Sequence, residues 1–324
     1  MTRLVADLGG TNCRLAISTG LGRPLAAMQS YPNAAFDSFP DLLGQYLIDA
    51  GQPRFAEIVI AVAGPVTDRA TGQSAELTNR GWQLDSQELS QSMGEIPVHL
   101  FNDLSALGHS LADLETGDLA IIQPEDSTAP LAQKLVIGIG TGFNVSPVSA
   151  TPLGVSCLKS EYGHVALPLD LHQALVAQIG EKAHAFKTVE CCFSGRGFAA
   201  LHAAFAPEAK AQSPADIIAD SDRAQTRAFL HFYADLLGQL SRNLRKGFLP
   251  SGGLYFAGSV ARNLLVGGAK SAFLHCYNQP DPLLPDLTPP VYCILDDAAA
   301  LKGCAKFAFR SPPKKTRASP LRQP

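Results

Sequence analysis

The sequence predicts an α/β protein of two domains, each built on a mixed sheet flanked by helices, and three observations carry that prediction. In the stretch from Arg3 to Ile17, an apolar run, Leu4 to Ala6, ends in Asp7. A turn of Gly9, Gly10, Thr11 and Asn12 follows, and a second strand-like run, Cys13 to Ile17, leads away. Apolar runs bounded by glycines read as strands, and a short glycine link makes them a hairpin. The stretch from Leu135 to Val148 repeats this plan, with Gly140, Thr141 and Gly142 in the turn. Two such hairpins, one opening each half of the chain, imply two copies of one architecture facing a shared phosphate. Finally, 324 residues suit two medium domains, and 46% apolar against 17% charged residues provide for large cores.

The turns are suited to anions. Gly9 and Gly10 let the backbone turn tightly and bring its N–H groups close to a bound anion. Thr11 and Asn12 add side-chain donors, and Asp7 offers a carboxylate where a phosphate-bound metal would sit. An ordinary hairpin with a small-residue turn would explain the first stretch alone, but not its repetition. Neither turn is a Walker loop, since no Gly-x-x-x-x-Gly-Lys-Ser/Thr occurs. A dinucleotide fingerprint is excluded too, because both turns run into strands where that fingerprint needs a helix.

Composition narrows the class. A formal net charge of −3 argues against a general binder of nucleic acid or anionic membrane. No run approaches the roughly 18 apolar residues of a membrane span, and a first strand starting almost at Met1 leads us to expect no signal peptide. The expectation is a soluble, cytoplasmic protein. The seven scattered cysteines include no Cys-x-x-Cys pair and read as reduced core thiols rather than as a zinc site.

After the first hairpin, Ala26 to Tyr31 reads as a third strand. Phe36 to Ala50 reads as a helix, with Phe39, Leu42, Leu43, Tyr46 and Leu47 at helical spacing, and Glu57 to Ala63 as a strand stopped by Gly64-Pro65. The segment Leu77 to Trp82 reads as a loop carrying Thr78, Asn79 and the one tryptophan. Ile96 to Phe101 is a strand ending in Asn102-Asp103, with helical character from Leu104 to Leu111. A carboxylate at the carboxyl end of a strand lies on the usual ligand edge of an α/β sheet; position alone equally accommodates Asn102 and Asp103 as mere helix caps. With the two phosphate hairpins, Asp103 becomes the best candidate general base.

Near Ala112 the chain is expected to cross into the second domain, through a polar, acidic and proline-containing stretch over 113–133. Lys134 to Gly140 then starts the repeated hairpin, and Gly154 to Leu158 is a third strand running into Ser160 to Val165. There Glu161 and His164, three apart around a glycine, can turn toward one ligand or form a solvated pair. Gln173 to Phe186 reads as a helix. Glu190 follows, in a segment from Val189 to Gly197, and by itself reads as an exposed helix-start glutamate. Ser221 is expected to cap a long helix with Phe229, Phe232, Tyr233, Leu236, Leu237, Leu240 and Leu244 on one face. Ser251 to Val260 is a glycine-bounded strand containing Gly258, followed by a helix from about Ala261. Tyr292 to Leu295 is the final strand. Asp297 to Phe309 reads as a helix packing back on the first domain, and the Pro/Lys/Arg-rich tail from Arg310 reads as disordered. The expected units are thus 1–112 plus 297–309, a larger domain over 113–296, and a tail over 310–324.

Together these motifs resemble the bacterial ATP-dependent glucokinases, members of the hexokinase superfamily with the actin-like (ribonuclease H-like) ATPase fold. The resemblance runs from Leu4 to about Phe309. It rests on the two hairpins, on Thr78-Asn79-x-x-Trp82, on Phe101-Asn102-Asp103-Leu104-x-Ala106, on Ser160-Glu161-x-Gly163-His164, on Val189-Glu190 with Ser194-Gly195-x-Gly197, and on Gly252-Gly253-x-Tyr255-x-Ala257-Gly258. It departs from the family pattern at Asn144, Tyr162 and Ser259, where glycines are usual. The Cys-x-Cys-Gly-x-x-Gly-Cys zinc pattern of related repressor and kinase sugar proteins is absent.

The resemblance implies phosphoryl transfer from MgATP to the 6-hydroxyl of glucose. Asp103 would accept the hydroxyl proton, and Thr78, Asn79, Asn102, Asp103, Glu161, His164 and Glu190 would line the sugar site. Asp7, Gly9, Gly10, Thr11, Asn12, Gly140, Thr141, Gly142 and Gly258 would hold ATP and its metal. The family also suggests a homodimer. The alternatives are a kinase for another hexose, such as mannose or an N-acetylhexosamine, and a non-catalytic sugar-sensing regulator on the same fold.

Overall fold

The computed structural model describes residues 2–20, 23–77, 80–124, 131–152, 154–208, 212–284 and 287–307. The first half contains β1 (Arg3–Leu8), β2 (Asn12–Ser18), β3 (Ala26–Pro32), α1 (Phe39–Asp49), β4 (Glu57–Val62), β5 (Val66–Arg69), β6 (Gly72–Glu76), β7 (Gln83–Asp85), α2 (Ser86–Ser92), β8 (Val98–Asn102) and α3 (Asp103–Ser110). The second begins with β9 (Leu119–Gln123), β10 (Lys134–Ile139), β11 (Phe143–Thr151) and β12 (Gly154–Cys157). Five helices follow: α4 (Leu169–Ile179), α5 (Val189–Phe193), α6 (Gly195–Phe205), α7 (Pro214–Ala219) and α8 (Ala224–Phe248). The chain ends with β13 (Leu254–Ala257), α9 (Ser259–Leu265), α10 (Lys270–Tyr277), β14 (Val291–Ile294) and α11 (Ala299–Lys306).

The duplication is visible in the strand order. One sheet runs β3-β2-β1-β4-β8 and the other β12-β11-β10-β13-β14-β9. In each, an antiparallel three-stranded meander continues into two parallel strands. The second sheet differs only in an added edge strand, β9, antiparallel to β14. The central strand β4 is buried at all six positions, as expected of a strand covered on both faces. A small antiparallel sheet, β5-β6-β7, stands apart from both.

Four apolar clusters order these elements into layers. Leu4, Ala6 and Leu8 of β1 face α1 through Leu42, Leu43 and Tyr46. Val5, on the opposite face of β1, packs with Ala106 of α3 and Leu301 and Cys304 of α11. In the second sheet Leu135, Ile137 and Ile139 face the long helix α8, while Val136 packs with Leu104 of α3 and Ala299 of α11. Helices α3 and α11 therefore form a shared layer between the two sheets. They are in close contact with each other: a Cβ at Gly303 would overlap the carbonyl of Ala106, and one at Gly138 of β10 would lie 2.6 Å from Leu104 Cδ2.

Several elements differ from the sequence reading. Beyond the elements read from the sequence, the structure adds β5, β6 and β7 on either side of the Leu77–Trp82 loop, together with α2 and β9. These are short and bear few buried apolar residues, so periodicity has little to register. The helix expected from Gln173 to Phe186 is α4 from Leu169, ended by Gly180 at φ +60° and continued by a 3-10 segment, Gly180–Ala185. Ser221 does not cap α8. Arg223 holds the N-cap position without a side-chain bond, and the first-turn hydroxyl of Thr226 instead donates to Asp220 at 3.2 Å. The expected tail, 310–324, lies outside the described residues.

The α3–α11 contact makes a direct prediction. Gly303→Ala should destabilise the fold by about 1–3 kcal/mol through overpacking. Gly44→Ala, on the exposed face of α1 with no atom near its Cβ position, should stabilise it by about 0.5–1 kcal/mol through helix propensity. Thermal denaturation of both variants reads the contrast; equal melting temperatures would contradict the packing described.

Candidate active site

Both glycine turns are braced by groups distant in sequence. In the first, Gly9 N–H donates to the Asn12 carbonyl at 3.0 Å, and Asn33 fastens the turn from behind. Its Nδ2 donates to the Gly9 carbonyl at 2.8 Å and its backbone N–H to the Thr11 carbonyl at 2.9 Å. Asn33 is fully buried, and nothing in its sequence surroundings marked it. Thr11 and Asn12 face solvent, leaving their donors available to a ligand.

The second turn is held from three sides. Gly140 N–H donates to the Gly142 carbonyl at 3.0 Å, and Gly195 N–H at the start of α6 donates to the Gly140 carbonyl at 2.8 Å. The N–H of Phe143 donates to Glu190 Oε2 at 3.1 Å. Gly258 lies against the base of this turn. Its φ of +104° and a Cβ position that would overlap the Ile139 carbonyl both demand glycine. Thr141 is exposed.

The N-terminus of α3 is packed between the two sheets that carry these turns. Asn102 is its N-cap, with Oδ1 accepting from Leu104 N–H at 3.0 Å and Nδ2 donating to the Gly64 carbonyl at 3.2 Å. The cap is thus supplied by Asn102. Asp103, the first helical residue, shares the same N–H through Oδ1 at 2.9 Å. Burial, and then the negative charge of Asp7, raise the Asp103 carboxyl to about 7; backbone N–H groups oppose this and the Glu161 charge adds to it. Burial likewise raises Asp7 to about 6, against the attraction of Arg14, which lies 3.6 Å away, and with a contribution from Asp297. Asp7, Asp103 and Glu161 therefore share one electrostatic neighbourhood although they come from the end of β1, the start of α3 and the loop after β12.

Glu161 and His164 sit on the 3-10 turn Tyr162–His164 and the residue before it, with Oε2 and Nε2 4.0 Å apart and both side chains exposed. Asn144 organises this loop. Its Nδ2 donates to the Ser160 carbonyl at 2.5 Å and to Glu161 Oε2 at 3.3 Å, and its Oδ1 accepts from Tyr162 N–H at 3.0 Å. The Tyr162 ring packs edge-on against Phe248, 5.5 Å between centroids. Two departures from the glycine pattern, Asn144 and Tyr162, are thus partners in one loop structure. Thr78 and Asn79 lie outside the described residues; next to them Arg80 covers the Trp82 ring at 5.0 Å.

A dication fits this arrangement. Asp7 is a partly buried oxygen donor whose ionised form is disfavoured by its surroundings, and a positive charge beside it would restore that form. Among the described residues no group of three or more His, Cys, Asp or Glu could hold a metal ion. This suits Mg2+, which is usually held by one or two carboxylates and substrate phosphates. A cavity of about 490 Å³ lies alongside α9, lined by Ile218, Arg227, His231, Asn263 and Leu264. It is remote from Asp103 in sequence and belongs to the helical face beyond Gly258.

Two duplicated sheets with paired glycine hairpins and a carboxylate on the helix between them define a sugar kinase of the actin-like ATPase class. The chain belongs to the glucokinase family, whose model matches residues 4–311; it is an ATP-dependent sugar kinase, a transferase. A glucokinase from Nostoc punctiforme is 30% identical over 351 residues, covering 96% of this chain and 100% of that protein. The crystal structure of a glucokinase from an Antarctic psychrotroph is 26% identical, with a TM-score of 0.76 over 94% of this chain and 98% of that one. The glucokinase from Balamuthia mandrillaris, crystallised in complex with glucose, is 18% identical with a TM-score of 0.75 over 94% of this chain and 92% of that one, a likeness of fold.

The raised carboxyls have a consequence for stability. A carboxyl whose folded-state pKa exceeds its unfolded value of about 3.9 contributes most below that value, and the contribution is lost as pH rises through the folded pKa. For Asp103 the loss falls between about pH 4 and 7. Asp103→Asn should therefore melt higher than the wild type at pH 8, with the gap closing toward pH 4. Calorimetry at the two pH values checks this, and a lower melting temperature at pH 8 would show that capping outweighs buried charge.

Proposed function

We propose that the chain transfers the γ-phosphoryl group of MgATP to the 6-hydroxyl of glucose, giving glucose 6-phosphate and ADP. The observation that carries this reading is the position of Asp103: a carboxylate with a pKa near neutrality, at the start of a helix packed between the two sheets that bear the anion-suited turns. A general base works best when its pKa lies near the working pH.

In this reading the turn at Gly9, Gly10, Thr11 and Asn12 and the turn at Gly140, Thr141 and Gly142 hold the phosphates through backbone N–H groups and hydroxyls. Asp7 holds Mg2+, which when bound neutralises phosphate charge. Gly258 leaves room for the nucleotide beside α9. Asn263 lies about 7 Å further along that helix at 1.5 Å per residue, and the 490 Å³ cavity there has the size of a small-ligand site. Asn102, Glu161, His164 and Glu190, with Thr78 and Asn79, orient the hexose so that its hydroxyl faces Asp103. Asp103 takes the hydroxyl proton as the oxygen attacks. Positioning and charge neutralisation supply most of the acceleration.

The proposed units are a smaller domain, 1–112 with 297–309, and a larger one over 113–296, closing over the sugar to exclude water. Lys159 already spans the cleft, donating to the Val66 carbonyl at 3.1 Å and to Asp68 at 3.2 Å. Free cysteines, five of them buried, accord with a reducing compartment, and we place the protein in the cytoplasm; a homodimer is what the family resemblance suggests. Among the described residues no helix is long and apolar enough to cross a membrane.

Two substitutions test these roles. Asp103→Asn should lower kcat by about 10²–10⁴ while glucose still binds; a folded variant with more than about a tenth of wild-type kcat would remove Asp103 as the base. Glu161→Gln should weaken glucose binding by the equivalent of about 1.5–3 kcal/mol, the worth of a charged hydrogen bond, and leave ATP affinity nearly unchanged. Calorimetric titration with each ligand separates the two, and unchanged glucose affinity would take Glu161 out of the site.

A further inference from the structure

The segment that the sequence connects with the sugar also grips the second phosphate turn at two points. Glu190, at the start of α5, accepts the Phe143 N–H on Oε2 at 3.1 Å, and Gly195, at the start of α6, donates to the Gly140 carbonyl at 2.8 Å. These two bonds close on either end of Gly140-Thr141-Gly142. The fit is tight, since a Cβ at Gly142 would lie 2.8 Å from Glu190 Oε2. Arg196, on the same segment, holds the other carboxylate oxygen, Oε1, at 3.0 Å. The sugar loop meets the same spot: Gly163 is so close that a Cβ there would overlap the Phe143 carbonyl and lie 3.3 Å from Glu190 Cβ. Phosphate turn, sugar loop and α5 thus converge on one partly buried carboxylate.

We propose that Glu190 couples the two substrates, transmitting sugar binding to the phosphate turn before the nucleotide arrives, with Arg196 as the positioning residue that sets the carboxylate's orientation. This rests on Glu190 being a sugar ligand, as read above. An ionised carboxylate has about four acceptor sites, so the bonds to Phe143 and Arg196 leave room for a sugar hydroxyl. A hydroxyl donating to Glu190 fixes its rotamer. The Phe143 N–H bond is then held more of the time, and the turn enters nucleotide binding with less freedom left to lose. A carboxylate serving the sugar alone would have no reason to reach the Phe143 backbone.

Amide hydrogen exchange without nucleotide tests this. In the wild type, saturating glucose should slow exchange over residues 140–143 about three- to tenfold, the factor that one better-held hydrogen bond supports, together with slowing over 160–164. In Glu190→Ala, at glucose concentrations raised until 160–164 is again protected, the slowing at 140–143 should be lost. Arg196→Gln, which alters only an exposed side chain, should speed exchange at 140–143 in the absence of sugar. Protection of 160–164 without any change at 140–143 in the wild type would overturn the coupling while leaving sugar binding intact. So would protection of 140–143 that survives in Glu190→Ala, or wild-type exchange in Arg196→Gln. Protection at neither segment would overturn sugar binding itself, and the coupling with it.

Discussion

The structure depends on the helix pair α3–α11 lying between the two sheets. Each sheet has an outer face covered by its own helices, and each gives its inner face to this shared layer. The approach is set by small residues: Gly303 against Ala106, and Gly138 beneath Leu104. Because Leu104 is packed onto the second sheet while Phe101 and Ala106 pack toward the first, the N-terminus of α3 is fixed by both halves at once. Asp103 begins that helix. Its place between the two sheets follows from the packing of the residues after it, so its position is tied to the duplication in the chain, the repeated meander with two parallel strands.

That placement has an electrostatic cost. Asp7 and Asp103 are both partly buried, and the negative charge of Asp7 bears on Asp103. Two carboxyls near neutrality are poor contributors to stability at pH 8, yet under the proposed function they supply what phosphoryl transfer requires: an oxygen donor for a dication and a base matched to the working pH. Arg14, paired with Asp7 across the first hairpin, offsets part of the charge without occupying the cleft. Asn102 takes over the helix cap, which frees Asp103 from an ordinary capping role.

The features legible in the sequence are those whose physics is local. A glycine turn between apolar runs announces its hairpin, and the repetition of that pattern announces the duplicated fold, so the α/β class with paired mixed sheets was open to reading. Asp103 was singled out by its place at the end of a strand together with the two hairpins, since position alone equally accommodated a helix cap. What escaped reading are bonds that only folding brings together: Asn33 behind the first turn, 24 residues from Gly9, Arg196 turned back onto Glu190, and the bond from the Tyr162 N–H to Asn144. The Ser221 cap shows the reverse error. A residue of suitable type stood two positions too early, and Asp220 served the helix from outside. The short polar strands β5 to β7 carry too few buried residues for alternation to be detected.

The central claim is that a sugar hydroxyl, oriented by the cleft, is the nucleophile that takes the phosphoryl group. The most direct test is to follow ADP formation from MgATP with glucose and with 6-deoxyglucose, while measuring the affinity of both sugars. The account predicts that both sugars bind and that only glucose turns over, with one glucose 6-phosphate formed per ADP. ADP released equally with 6-deoxyglucose, or glucose bound without any phosphorylated product, would contradict it.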